Sequence, residues 1–263
     1  MSLNLGSTSI GSLYLGSTKI GEAYLGSTKV YASAPADPYN PLGLPAFTIR
    51  LKFRPGVTPS FSSGTGVQVS SSPNVWDLTT GWTTSWDTLL YTQNDLIEVL
   101  GANSTGVTTM NAMFSQCSSL TTVAVFDTSS VVDIAYMFDQ CSSLTTVPLF
   151  DTSRVTEANG VFRQCSALTT VPVFNTSSVI RMVYMFQYCS ALTAVPLLNT
   201  SSAEQMDSMF AYCYAVQSGT LALYQQASTQ ANPPWSHSGT FRDCGSDTIS
   251  GVAELAQIPS GWK

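Results

Sequence analysis

The sequence predicts an α/β solenoid in which 24-residue coils, each a short parallel strand and a short helix, stack along one axis. Three observations predict it. First, four strings align at that step: NAMFSQCSSLTTVAVFDTSSV, AYMFDQCSSLTTVPLFDTSRV, NGVFRQCSALTTVPVFNTSSV and VYMFQYCSALTAVPLLNTSSA, followed by a fading DSMFAYCYAVQSG. Second, Cys117, Cys141, Cys165, Cys189 and Cys213 keep the same spacing of 24. Third, the hydrophobic spacing changes inside every repeat, from a strand pattern to a helical one.

The strand half is carried by Leu144, Val147 and Leu149, with equivalents at Leu120, Val123 and Val125, at Leu168, Val171 and Val173, and at Leu192, Val195 and Leu197. This L-x-x-V-x-L spacing is the core strand pattern of leucine-rich repeats, whose aliphatic side chains point inward. Thr128, Thr152, Thr176 and Thr200 stand where an Asn or Cys usually follows, and a hydroxyl there bonds the backbone of the turn. Pro148, Pro172 and Pro196 lack a backbone donor, so the regular strand is expected to be very short. In the other half, Ile134, Met137 or Phe138, and Cys141 share one helical face, as do Met182, Met185, Phe186 and Cys189. Ser202 followed by Gln205 resembles a capping box.

The coils are assigned to residues 95–216. Ahead of them, FTIRLKFR alternates Phe47, Ile49, Leu51 and Phe53 with polar residues, the period of a half-buried strand. With GVQVS and the nearby Trp76, Trp82 and Trp86 it predicts a β-rich N-terminal cap over 46–94. Residues 33–45, SAPADPYNPLGLP, read as a semi-stiff Pro-rich linker. Residues 1–32 hold a ten-residue period that stacks Leu5, Leu15 and Leu25 in one column and Ile10, Ile20 and Val30 in another. Short hairpins or a small β-solenoid are expected there, with pairing between copies, because so small a unit buries little apolar surface. A homo-oligomer is therefore expected. Residues 217–263 supply the C-terminal cap: VQSGTLALYQQAS has helical character, and Trp235 and Trp262 are expected to pack over the last coil.

Fixed 24-residue spacing does not make a metal site, which needs ligands converging on one point, so no metal and no cofactor is expected. The same thiol in successive coils projects in parallel rather than toward its neighbour, so buried, reduced cysteines are expected in place of disulfides. Cys244 falls outside the series, and its state is left open.

Charged residues make up 10% of the chain and the net charge is −6, which argues against a nucleic-acid partner. No apolar run is long enough to span a bilayer, and the N-terminus lacks the charged and apolar regions of a secretory signal. A nucleophilic triad needs a base, and His237 is the single histidine; a pairing with Cys244 has no second feature behind it. SSGTGVQ lacks the lysine of a phosphate cradle. The expectation is a protein that is not an enzyme, with a carbohydrate-active enzyme as the remote alternative, since two carboxylates need only meet in space.

The pattern M-F-x-x-C-S-x-L-T-x-V-P-x-F-D-T-S-x-V resembles the BspA-like leucine-rich repeat, also described as the DUF285 bacterial surface repeat. That resemblance implies a right-handed parallel solenoid displayed at a cell or particle surface, commonly with an adhesive or recognition role, and no catalytic motif. The YLGSTKI units resemble short repeats at the start of phage and prophage fibre-like proteins. Taken with the missing export signal, this favours a phage virion protein, a head or tail fibre or decoration, localised to the virion. Its N-terminal repeats would join other virion proteins and its solenoid would recognise a host-surface glycan or protein. The alternative is a bacterial cell-surface adhesin. The candidate binding columns are Thr122, Thr146 and Thr170, and Phe126, Phe150 and Phe174 at the strand's end, where ring stacking and hydroxyl bonding are available unless the phenylalanines are core.

Overall fold

The computed structural model describes residues 40, 42–61, 63–69, 72–81 and 83–263, together with four short strands near the N-terminus. Those strands form two antiparallel hairpins: β1 (Tyr14–Leu15) with β2 (Thr18–Lys19), and β3 (Ala23–Leu25) with β4 (Thr28–Tyr31). The remainder of 1–39 lies outside the described residues, as does most of the expected linker.

The expected strand at Phe47 is β5 (Thr48–Phe53), the middle of an antiparallel sheet. It lies between β7 (Val75–Thr79) and β8 (Leu96–Asn103), with β6 (Thr65–Gln68) outside β7. Ile49, Leu51 and Phe53 are fully buried, while Arg50 and Lys52 emerge on the other face opposite Asp77 and Glu98. Arg50 bonds both Asp77 oxygens at 2.6 and 2.7 Å, and Lys52 reaches Glu98 at 2.9 Å. Opposite charges placed across a strand pair help fix its register. β8 also pairs in parallel with β9 (Thr122–Val123), so one strand belongs to both the antiparallel sheet and the first coil.

From there the chain advances in 24-residue steps. Parallel bridges join Ser85, Thr109, Asp133, Glu157, Arg181 and Gln205 in succession. Met110, Ile134, Ala158, Met182 and Met206 form one buried column, and Phe114, Phe138, Phe162, Phe186 and Phe210 another. The phenylalanine rings stack nearly parallel with centroids 4.9–5.7 Å apart. Trp86, Leu89 and Leu90 occupy the equivalent positions upstream, so the stack begins before residue 95.

The expected helices are absent from the described coils, where the segments such as 133–141 are runs of turns. Two residues in each turn run have positive φ: Ala112 and Gln116, Tyr136 and Gln140, Gly160 and Gln164, Tyr184 and Tyr188, Ser208 and Tyr212. Such residues cannot continue a right-handed helix. Alternate amides instead donate to the next coil: Tyr136 to Asn159 O at 2.7 Å, Phe138 to Val161 O at 2.9 Å and Gln140 to Arg163 O at 2.7 Å. The amides between them donate three residues back, as Asp139 does to Tyr136 O at 3.0 Å. Repeating turns of four residues reproduce the apolar spacing of a helix, which is why the pattern read as one. The capping box fails with the helix it would start: Ser202 Oγ bonds Ser177 O, and Gln205 is a bridge residue.

The strand half also differs from expectation. Leu144 and Val147 are buried, but Leu149 is 60% exposed, Val173 63% and Leu197 55%; Phe126, Phe150 and Phe174 point inward in their place. The working core pattern is therefore L-x-x-V-x-x-F. Only β9 forms a named strand here, and the reason is visible one residue on. Ala124 N donates to Val99 O at 2.8 Å, whereas the equivalent positions are Pro148, Pro172 and Pro196, which have no N–H to give.

Corners are closed by Asp-Thr-Ser or Asn-Thr-Ser. The Asx oxygen accepts the amide two residues on, as in Asp127 with Ser129 at 2.9 Å and Asp151 with Ser153 at 3.0 Å. The buried threonine hydroxyl between them donates to the next coil: Thr128 to Asp151 O, Thr152 to Asn175 O and Thr176 to Asn199 O, each at 2.8 Å.

Cys244 belongs to the thiol column after all. The 31 residues from Cys213 are one coil plus seven, and the extra length accommodates α1 (Thr220–Thr229). Phe210 N still donates to Thr240 O at 2.8 Å and Tyr212 N to Arg242 O at 2.7 Å, so the turn run resumes in register. Phe241 continues the ring stack at 6.2 Å, and Trp262 stacks against it at 6.3 Å. Trp235 does not pack there and is 68% exposed. Gln226 and Gln230 of the α1 region bond Leu198 O and Thr200 O at 2.7 and 3.0 Å, replacing the coil that would have come next. A second helix, α2 (Ile249–Leu255), supplies Glu254, whose carboxylate accepts the Leu221 amide at 3.1 Å and the Thr220 hydroxyl at the start of α1. Burial raises the Glu254 pKa, but the hydrogen bonds from Thr220, Leu221 and Gly219 outweigh it and hold the carboxyl below its usual range.

Candidate interaction surface

The strand half of each coil presents side chains to solvent in columns. Thr122, Thr146 and Thr170 are exposed and aligned one per coil. Leu149, Val173 and Leu197 make a parallel aliphatic ridge, more than half exposed, beyond the half-buried prolines. A shallow hollow beside the ridge is lined by Leu149, Phe150, Asp151, Thr152, Val173 and Asn175. Two bonds from Ser153, side chain first and backbone second, hold the Asp151 carboxyl below its usual range and keep it charged. The surface thus sets a hydroxyl column beside an aliphatic ridge, followed by a polar row that is Asp at 127 and 151 and Asn at 175 and 199.

The phenylalanine half of the candidate site is corrected. Phe126, Phe150 and Phe174 are 0%, 6% and 4% exposed, and Phe150 and Phe174 lie against Phe138 and Phe162 at 6.2 and 6.0 Å. They form the second interior ring column and offer no ring face to a ligand. What was missed is the ridge one residue earlier. It stands exposed because the proline before it ends the ladder and the phenylalanine after it takes the inward position.

The interior is chemically quiet. The five serial cysteines are buried and free, each thiol donating to a carbonyl of the preceding coil: Cys141 to Phe114 O, Cys165 to Phe138 O and Cys189 to Phe162 O, all at 3.1 Å. Burial pushes Cys117 and Cys213 up to about 12 and the others well above the usual thiol range, so none is a thiolate nucleophile at neutral pH. Cys244 is buried in that row, while His237 stacks flat on Trp262 at 4.1 Å, with interplanar angle 6°. His237 serves the C-terminal ring stack. Among the described residues no group of three His, Cys, Asp or Glu side chains is placed to hold a metal ion, and no helix is long and apolar enough to cross a membrane.

Residues 88–170 and 145–232 each match the family described as Mycoplasma protein of unknown function, DUF285. Together the matches span more than half of the chain, and the chain belongs to this family. They begin at the coil that carries Leu89 and Leu90, ahead of the expected boundary, and do not reach residues 1–32. Among solved structures, the chain is similar to a leucine-rich repeat protein from Eubacterium ventriosum, with 21% identity and a TM-score of 0.39 over 56% of this chain and 38% of that one. It is also similar to the T. pallidum leucine-rich repeat protein TpLRR, with 16% identity and a TM-score of 0.38 over 64% of this chain and 83% of that one. The chain thus spans well under half the length of the first of these. No curated protein matches it.

Proposed function

We propose that the chain is a non-enzymatic recognition or adhesion module, a leucine-rich-repeat-type solenoid that displays its strand face at a cell surface. The observation that carries this reading is the ridge of Leu149, Val173 and Leu197, exposed in register beside the threonine column. An ordered strip of aliphatic side chains facing solvent costs free energy unless a partner covers it. The membership in a family of surface and adhesion-type repeats supports the same reading. Purified chain is expected to adhere to intact cells of its host surface, and the triple variant Leu149→Ser, Val173→Ser, Leu197→Ser to lose at least tenfold in binding while keeping its urea midpoint. Equal adhesion by the variant would remove the ridge from the reading.

A virion head or tail fibre is the second setting, resting on the resemblance of the YLGSTKI units to phage fibre-like repeats. The family match gives it no support. Isolated two-stranded hairpins are marginal, so this setting requires residues 1–32 to associate with copies of themselves or with other virion proteins. Mass in solution, with and without residues 1–32, tests it: an oligomer that becomes a monomer on truncation favours it, and a monomer in both forms opposes it.

A further inference from the structure

The coils repeat closely enough that departures from the repeat are informative. At the second positive-φ position of each turn run stand Gln116, Gln140 and Gln164, then Tyr188 and Tyr212. Two residues later the column reads Ser118, Ser142, Ser166 and Ser190, and then Tyr214. Stacking requires neither change, because neither position belongs to the buried core. The substitutions converge on one place.

Tyr188 and Tyr212 stack at 4.5 Å with an interplanar angle of 13°, and Tyr214 lies against Tyr212 at 6.2 Å. Tyr188 and Tyr214 stand at the end of an open groove that the serine column also lines, with Tyr212 behind them; its lining is Ser142, Gln164, Ser166, Tyr188, Ser190 and Tyr214. No lining residue is an ionised side chain. Burial, followed by the neighbouring Tyr188 and Asp243, raises the Tyr214 phenol above its usual range, so it stays protonated. The serine hydroxyls make only long bonds to the preceding coil: Ser142 to Ser118 O and Ser166 to Ser142 O at 3.4 Å, and Ser190 to Ser166 O at 3.5 Å. Bonds of that length leave the hydroxyls available to a better partner.

We infer that this groove binds a neutral oligosaccharide, with one sugar ring lying on the face of Tyr188 and its hydroxyls meeting the serine row and Gln164. The flat C–H face of a pyranose suits an exposed tyrosine ring, which is large, stiff and amphipathic. Uncharged hydroxyl and amide groups suit the sugar's own hydroxyls, each of which is both donor and acceptor. Absence of charge in the lining disfavours an anionic polysaccharide. A proline-rich peptide would also stack on tyrosine, but the serine row offers it no apolar slots between the rings. The inference deepens the recognition reading by naming a ligand class, at a face separate from the strand ridge.

The test uses the full chain and isothermal titration with cellohexaose, laminarihexaose, chitohexaose and mannohexaose. At least one is expected to bind, and Tyr188→Ala to weaken it tenfold or more, with Tyr214→Ala and Gln164→Ala weakening it less. Each variant's urea midpoint is compared with that of the parent, and Tyr188→Phe, which keeps the ring, restores binding if stacking is the interaction. The ridge variant Leu149→Ser, Val173→Ser, Leu197→Ser is expected to bind the sugar normally. The inference is overturned if none of the four sugars binds, if Tyr188→Ala binds as the parent does, or if the groove prefers polygalacturonate or a polyproline peptide. Sugar binding lost in the ridge variant and kept in Tyr188→Ala overturns it as well, and leaves the strand face as the recognition surface.

Discussion

In the turn half of a coil such as 133–141, Ile134, Tyr136, Phe138 and Gln140 all donate amide bonds to the next coil, at 2.7–3.1 Å. In the strand half that follows, Thr145 N reaches Thr121 O at 3.5 Å, and the shorter link to a neighbouring coil is a side-chain bond, Thr152 Oγ1 to Asn175 O at 2.8 Å. One half is stitched by backbone, the other by packing and a hydroxyl. Backbone stitching leaves the solvent-facing side chains free to vary, and there Gln gives way to Tyr at 188 and 212. Where stitching depends on side chains, the same Thr recurs at 128, 152, 176 and 200.

The largest effect is expected where both halves share a core. Phe162 packs against Phe138 and Phe186 in its own column and against Phe174 in the other. Phe162→Ala is expected to cost about 3–5 kcal/mol, read from the urea midpoint, with the two halves unfolding together. A smaller loss confined to one half would show that they are energetically separate.

Next comes the hydroxyl link. Thr152→Val keeps shape and burial but leaves Asn175 O without its donor, an expected loss of about 1–3 kcal/mol. Thr146→Val, on the exposed face, is the control and is expected to change stability by no more than about 0.5 kcal/mol. Equal effects from the two would dissolve the distinction between an interior hydroxyl ladder and a surface one.

At the C-terminal end the tether is a carboxylate that accepts hydrogen bonds from neutral donors. Because the Glu254 carboxyl is held below its usual range in the folded chain, its contribution is complete above the ordinary glutamate value of about 4.3 and fades as pH falls through the lowered one. Parent and Glu254→Gln are therefore expected to differ in thermal midpoint at pH 7 and to converge in acid. A difference that persists unchanged in acid contradicts this assignment.

The smallest effect sharpens the comparison most finely. Pro148→Ala gives the second coil the donor that Ala124 has in the first, with Val123 O as acceptor. A gain of about 1 kcal/mol from the bond and a loss of about 0.4–1 kcal/mol from the freer unfolded chain nearly cancel. Stability is expected to hold while the amide at 148 becomes protected from exchange.

Much of this was legible because the repeat is so regular. Spacing alone placed the cysteines in one interior row and the alternation in FTIRLKFR placed β5, since both depend only on side chains meeting their counterparts. Backbone conformation was harder. Nothing in Tyr136 or Gln140 announces a positive φ, as a glycine would, and a four-residue turn period is close to the helical one. The strand face was misjudged at a single residue: Leu149 and Phe150 are both apolar, and nothing in the two side chains says which turns inward. Cys244 was legible in part, since TFRDC repeats the F-x-x-C of every coil, but the seven residues inserted around α1 hid the register.

The claim that successive coils are joined chiefly through their turn halves is tested most directly by residue-resolved amide hydrogen exchange on the intact chain. Slow exchange is predicted at Tyr136, Phe138 and Gln140 and at their counterparts Gly160, Phe162 and Gln164, with fast exchange at Thr146, Val147 and Leu149. Equal protection in both halves, or fast exchange through 134–140, would contradict it.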